Sequence, residues 1–255
     1  MSYETIRAEV SPRGIAIVTL NRPDRGNALN QTLLDELGNC LTSYAQDPQV
    51  RIVILRGEGK HFCAGADVGG RSAQDAPPKF SLAQMLEVLE RFPKPTMALV
   101  QGAAAGGGLA LASCCDVVLA GREAFFTIPE VRLGMAPSPT LAALFVRAVG
   151  LRAFRRYGFS GERISADVAL RLGLVTEIAE AADLLAKAEA IADAMLLGAP
   201  GAIATLKARV CEFNAPPVST IFDPAVRDAK HVRTSEAEEG VAAFKEKRKP
   251  NWYPG

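Results

Sequence analysis

The chain is predicted to fold as an α/β protein, with a largely parallel sheet covered by helices on both faces and a helical segment after it. Three observations carry this reading. Strand-length apolar runs recur between segments of helical period, those runs lack the alternation of a one-sided sheet, and no strand signal appears from Pro200 onward. With 255 residues, 49% of them hydrophobic and 22% charged, the chain can bury a substantial core and does not have the composition of a disordered, collagenous or disulfide-stapled protein.

Residues 3 to 20 form two short apolar runs around Ser11-Pro12-Arg13-Gly14 and read as a β-hairpin. A polar loop from Asn21 to Asn30 follows. Leu33, Leu34, Leu37, Leu41 and Tyr44 then recur at helical spacing until Asp47-Pro48. Ile52 to Leu55 reads as a buried strand, ended by Gly57 to Gly59, and a loop carries His61 to Asp67. The polar segment 69 to 81 reads as further loop before a helix at about 82 to 91. Lys94-Pro95 precedes a strand over Thr96 to Val100, a glycine-rich turn, a small-residue helix at about 107 to 114 and a strand over Val117 to Ala120. Residues 1–195 are assigned to the α/β core and 196–255 to a helical region broken at Pro216-Pro217, with a basic stretch at Lys245 to Lys249.

Composition narrows the function. Lys plus Arg (29) nearly balances Asp plus Glu (28), which leaves no electrostatic footprint for nucleic acid or an anionic membrane. The cysteines at 40, 63, 114, 115 and 211 are odd in number and show neither CxxC nor metal-ligand spacing, so a reduced, cytoplasmic chain without a metal is expected. Glu4, Arg7 and Glu9 interrupt any signal-like apolar run. Thr96 to Cys115 is uncharged, but Gly102 and Gly106 to Gly108 argue against a membrane span. No GxxxxGK[ST], HExxH or GxSxG is present, and a Ser/His/Asp triad would have to use His61 or His231. His61 can line a site, whereas His231, between Lys230 and Arg233, reads as a solvated surface residue.

Two small-residue stretches remain: Cys63-Ala64-Gly65-Ala66-Asp67 after one strand and Gly106-Gly107-Gly108 after the next. Without bulky side chains, backbone N–H groups can approach a ligand, and two of them converging from separate turns would hold an oxyanion such as an enolate. For either stretch alone, close packing of a helix on the sheet is the competing explanation.

Across nearly its whole length the chain resembles the crotonase, or enoyl-CoA hydratase/isomerase, superfamily. The resemblance lies in VTLNRPDRGNALN (18–30), HFCAGADV (61–68), KPTMALVQGAAAGGGLALASCCDVVLAG (94–121), FTIPEVRLGMAP (126–137), GERISADVALRLGLVTEI (161–178) and AFKEKRKPNWY (243–253). It implies a spiral of αββ repeats, a C-terminal helical trimerisation region, and a homotrimer or a hexamer made of two trimers. The family's oxyanion amides fall on Ala64 and Gly107. Of its two catalytic glutamates, the first is replaced by Ala110 and the second is Glu130, in Pro129-Glu130. Beside an apolar acyl pocket, burial would disfavour the ionised form of Glu130 and bring it towards proton-transfer range. The competing reading is a surface carboxylate paired with Arg132.

The resemblance also implies that the substrate is an acyl-CoA thioester, with no separate cofactor. Adenine would lie near the loop of Ala64, Ala66 and Asp67, and phosphates near Arg22 and Arg25. Phe244 and Lys247 would reach a CoA bound to a neighbouring subunit. Ser138 to Phe145 replaces a glycine-rich stretch bordering the family's acyl pocket, which argues against short straight-chain crotonyl-CoA as the best substrate, and the VRLG segment (131–134), Ala110 and Arg155-Arg156-Tyr157 are similar to the branch acting on branched glutaconyl-type thioesters. Three activities follow: an enoyl-CoA hydratase, a Δ3,Δ2-enoyl-CoA isomerase that needs one base, or a non-catalytic acyl-CoA-binding protein.

Overall fold

The computed structural model describes residues 3–67, 79–214 and 235–254. The hairpin is β1 (Ile6–Val10) and β2 (Ile15–Leu20), antiparallel with Ile6 opposite Leu20. Helix α1 (Gln31–Gln46) starts where Asn30 accepts a hydrogen bond from the Leu33 N–H, which satisfies one donor of the open first turn. Leu33, Leu34, Leu37 and Leu41 of α1 are buried on the sheet. The chain continues through β3 (Ile52–Gly57), α2 (Leu82–Glu90), β4 (Thr96–Val100), β5 (Ala103–Ala105), α3 (Gly107–Ser113), β6 (Val117–Gly121) and β7 (Phe125–Thr127). Next come a 3-10 turn (Glu130–Leu133), α4 (Pro139–Val149), α5 (Leu151–Ser160), β8 (Ile164–Ser165), α6 (Ala166–Arg171), β9 (Glu177–Ala179), α7 (Leu184–Leu196), α8 (Pro200–Asn214) and α9 (Ser235–Lys245).

The main sheet runs β1-β2-β3-β4-β6-β9 and is parallel throughout except for β1. Both faces are covered. Val18, Val53, Leu55 and Ala98 join the core shared with α1, α2 and α3, while Ile52, Ile54, Met97, Leu99 and Leu119 face Leu184, Ala188 and Ala192 of α7. This explains the unbroken apolar run Ile52 to Leu55, since a strand buried on both faces has no solvent side. Each such aliphatic side chain contributes roughly 1.5–3 kcal/mol by leaving water. The uncharged stretch Thr96 to Cys115 is β4, β5 and α3, inside the fold. No single helix among the described residues is long and apolar enough to cross a membrane.

A second sheet, β5-β7-β8, is not anticipated from the sequence. Its strands have two or three residues, too few for a two-residue period to register. It carries the residues that bring the two small-residue loops together. His231 and Pro216-Pro217 lie outside the described residues, as do 68–78 of the polar loop.

Candidate active site

The loop Cys63–Asp67 is stitched down on two sides. Cys63 donates its N–H to Ala103 O (3.0 Å) and accepts from Ala105 N (3.0 Å), which binds the loop to β5. Leu29 N donates to Gly65 O (2.7 Å), and Asp67 N donates to Leu29 O (3.0 Å). Those two bonds flank Ala66 in a parallel bridge, so the N–H of Ala66 points to the opposite side. It has no acceptor among the described residues, and Ala66 is exposed. Ala64 differs from its expected role, because its N–H donates to Gly26 O at 2.9 Å. With the Gly65 N–H turned to the Cys63 thiol, the amide of this loop that has no partner among the described residues belongs to Ala66. The residues that follow the loop, 68–78, lie outside the described residues, and the next described helix is α2.

Gly107 is the first residue of α3, so its N–H has no intrahelical acceptor. The loop touches it directly: a Cβ on Gly65, which sits at φ +96°, would lie 2.8 Å from Ala105 O and 3.9 Å from Gly107 N. Only glycine fits this crossing without strain. Further into the helix, a side chain at Gly108 would start 2.2 Å from Cys63 O. The glycines thus do pack helix against loop, as the competing explanation holds, and the same packing leaves the Ala66 and Gly107 N–H groups without partners among the described residues.

Glu130 opens the 3-10 turn after β7. Its Oε1 lies 2.9 Å from where a Cβ on Gly106 would stand, and Gly106 immediately precedes the Gly107 amide. Its Oε2 is buried and has no hydrogen-bond partner. Burial raises the carboxyl above its ordinary range, partly opposed by a bond from its own backbone N–H. No pair with Arg132 forms, because the Arg132 Nε donates to Ser160 O at 2.7 Å. Ala110 is fully buried in the core on α3, so no second carboxylate stands at that position.

Arg22 and Asp67, both expected to contact substrate, hold each other. Arg22 Nη2 lies 2.8 Å from Asp67 Oδ2, with side chains 17% and 9% exposed, and Nη1 donates to Ala28 O. The pair locks the early loop to the Cys63–Asp67 loop. Arg25 is exposed at the end of the 3-10 turn Pro23–Arg25 and has no ion pair among the described residues. Phe244, 67% exposed, and Lys247 lie at the end of α9 and just beyond it, and neither hydrogen-bonds to the site residues of its own chain. The His61 Nδ1 accepts from Ala103 N at 3.2 Å, and burial with Lys60 and Arg163 nearby lowers its proton affinity. It anchors the loop as a neutral ring.

Sequence reading missed Asn27, which is fully buried at φ +56°. Its Nδ2 donates to Glu58 O (2.9 Å) and His61 O (2.8 Å), and its Oδ1 accepts from Arg22 N (2.9 Å). The Gly26-Asn27 pair was the available signal, since asparagine tolerates the left-handed region better than most residues. Cys63 offers no nucleophile, because complete burial pushes its thiol up to about 12.

The profile of the enoyl-CoA hydratase/isomerase family matches residues 11–254. The crotonyl-CoA hydratase of Syntrophomonas wolfei is 35% identical, over 99% of each chain. A probable enoyl-CoA hydratase of Bacillus subtilis is 34% identical, over 93% of this chain and 95% of its own. The crystal structure of an enoyl-CoA hydratase from Mycobacterium avium subsp. paratuberculosis superimposes with a TM-score of 0.85 at 28% identity, covering 98% of this chain and 99% of that one. With the profile spanning both loops, the Glu130 turn and α9, the chain belongs to the enoyl-CoA hydratase/isomerase family.

Proposed function

We propose that the protein interconverts an α,β-unsaturated acyl-CoA thioester and its 3-hydroxyacyl form, using the Ala66 and Gly107 amides as an oxyanion hole and Glu130 as the acid/base. The observation that carries this is the buried, unpartnered Glu130 oxygen next to the glycine that leads into the Gly107 amide. A water oxygen adds to Cβ, the alkene electron pair moves towards the thioester, and the resulting enolate oxygen accepts from the two amides. Glu130 takes one proton from that water and delivers it to Cα, so the carboxylate is regenerated and H–OH has been added overall. An unpartnered oxygen in a dry setting suits both halves of the transfer. CoA is part of the substrate, and no separate cofactor enters these steps.

Ala110 favours a second reading, Δ3,Δ2-isomerisation, in which one base takes a proton from one carbon and returns it to another. Incubating 2-enoyl- and 3-enoyl-CoA thioesters, branched glutaconyl-type substrates among them, in ¹⁸O water separates the two. Label in a 3-hydroxyacyl product is the expected result. An unlabelled shifted double bond would replace hydration with isomerisation, and binding without turnover across the panel would make the chain an acyl-CoA-binding protein. Arg25, the exposed cation of the early loop, is assigned to the CoA phosphates in place of Arg22. Exposed Phe244 and Lys247 are assigned to a neighbouring subunit's CoA within a trimer or hexamer.

A further inference from the structure

Among the described residues no other side chain hydrogen-bonds to the Glu130 carboxylate, so its place depends on the turn that carries it. That turn, Glu130–Leu133, is gripped from two directions. On one side lies α9. A Cβ on Gly240 would fall 2.4 Å from Leu133 C, 2.6 Å from Leu133 O and 2.9 Å from Gly134 N. The contact is reciprocal, because a Cβ on Gly134 would fall 2.3 Å from Glu236 O. Helix and turn therefore meet backbone to backbone. On the other side, the Arg132 Nε donates to Ser160 O at 2.7 Å, and the Arg132 stem runs over Gly161, whose Cβ would stand 2.8 Å from Arg132 Cγ. Gly134, at φ +66°, closes the turn by donating to the Glu130 and Val131 carbonyls.

We propose that Gly240 and Arg132 are positioning residues for Glu130: they clamp its turn between α9 and the Ser160 carbonyl and so set where the carboxylate stands over Gly106. The assignment rests on the role given to Glu130 above. A methyl group at 240 meets backbone atoms, which cannot swing aside as a side chain can, so either α9 retreats or the turn shifts. A displacement of about an ångström at a catalytic group can lower turnover by up to about 100-fold without touching the substrate.

The test is a pair of double-mutant cycles on the full-length enzyme, using an enoyl-CoA thioester that the wild type turns over. Gly240→Ala and Arg132→Gln are each made in the wild-type and the Glu130→Gln backgrounds, with circular dichroism and a melting curve on every variant. In the wild-type background, kcat should fall about 10-fold or more for Gly240→Ala and about 3-fold or more for Arg132→Gln, with KM within about twofold. In the Glu130→Gln background neither change should lower kcat further, because the group they position is gone. The inference is overturned if folded single variants keep wild-type kcat, or if the losses persist undiminished beside Glu130→Gln. Should Gly240→Ala fail to fold, the Arg132→Gln cycle decides alone, since Arg132 is exposed and its removal leaves no clash. If Glu130→Gln itself keeps full activity, the function assigned to Glu130 fails, an outcome distinct from additive losses.

Discussion

Exchanging Glu130 for glutamine keeps the shape of the side chain and removes its exchangeable acid. General acid/base catalysis contributes about 10²–10⁴-fold, which is roughly 3–5 kcal/mol of barrier at 1.36 kcal/mol per decade. Ala110 provides no second carboxylate to share the work, so the loss in kcat should reach about 10³-fold, with KM changed by less than about threefold. Stability should move the other way. Burial raises the Glu130 pKa, so the folded protein holds this proton more tightly than the unfolded chain does. Between the unfolded and folded values the native state binds more protons, and stability falls as pH rises. At neutral pH the ionised carboxylate is therefore a cost to folding that glutamine lifts. The melting temperature of Glu130→Gln should equal or exceed that of wild type at pH 7, and the advantage should vanish below the ordinary glutamate range. In wild type, kcat should fall as pH drops through the raised value. Loss of the 2-enoyl-CoA absorbance measures turnover, and scanning fluorimetry across pH measures stability. Full activity in the variant, or a variant several degrees less stable at pH 7, would refute the reasoning.

Gly107→Pro deletes one proposed oxyanion donor at a first helical position that proline tolerates, and turnover should fall about 10²–10³-fold with helix content retained. Ala64→Pro removes a donor already bonded to Gly26 O, so it should lower stability by about 1 kcal/mol while the folded enzyme keeps kcat within about threefold; a loss as deep as that of Gly107→Pro would return the oxyanion role to Ala64. Asp67→Asn removes the charge facing Arg22 across a mostly buried pair and should lower the urea-derived stability by roughly 1.5–3 kcal/mol, whereas an unchanged midpoint would show that the pair is not what locks the loops. Light scattering should find species well above 27.0 kDa at micromolar concentration, and a dominant monomer would rule out the neighbouring-subunit role of Phe244 and Lys247.

The elements that could be read from sequence are those whose burial repeats along the chain. α1 announces itself through Leu33, Leu34, Leu37 and Leu41, and β3 and β4 through apolar runs enclosed on both faces. β5, β7 and β8 leave no such trace, although they hold the site together. Gly107 was legible because small residues ahead of a helix have a direct physical meaning. Glu130 was not marked by spacing and entered through the family resemblance. Ala64 and Ala66 look alike in sequence, and only the bridge to Leu29 and the bond to Gly26 separate the free amide from the occupied one. The contact of Gly240 with Leu133 has no sequence signature, because two glycines far apart in the chain say nothing of each other.

That contact also orders the molecule's assembly in time. Every strand of both sheets lies before residue 180, so the whole β framework can form during synthesis while α9 is still missing. By then Leu133–Gly134 already stands on the formed framework, and its contact with Glu236–Gly240 is made only once α9 has emerged. The seat of Glu130 is thus among the last parts of the chain to be completed. A nascent chain halted between α8 and α9 would carry a finished scaffold while the Glu130 turn was held from the Arg132 side alone. Activity should therefore appear later in synthesis than protease resistance of the core.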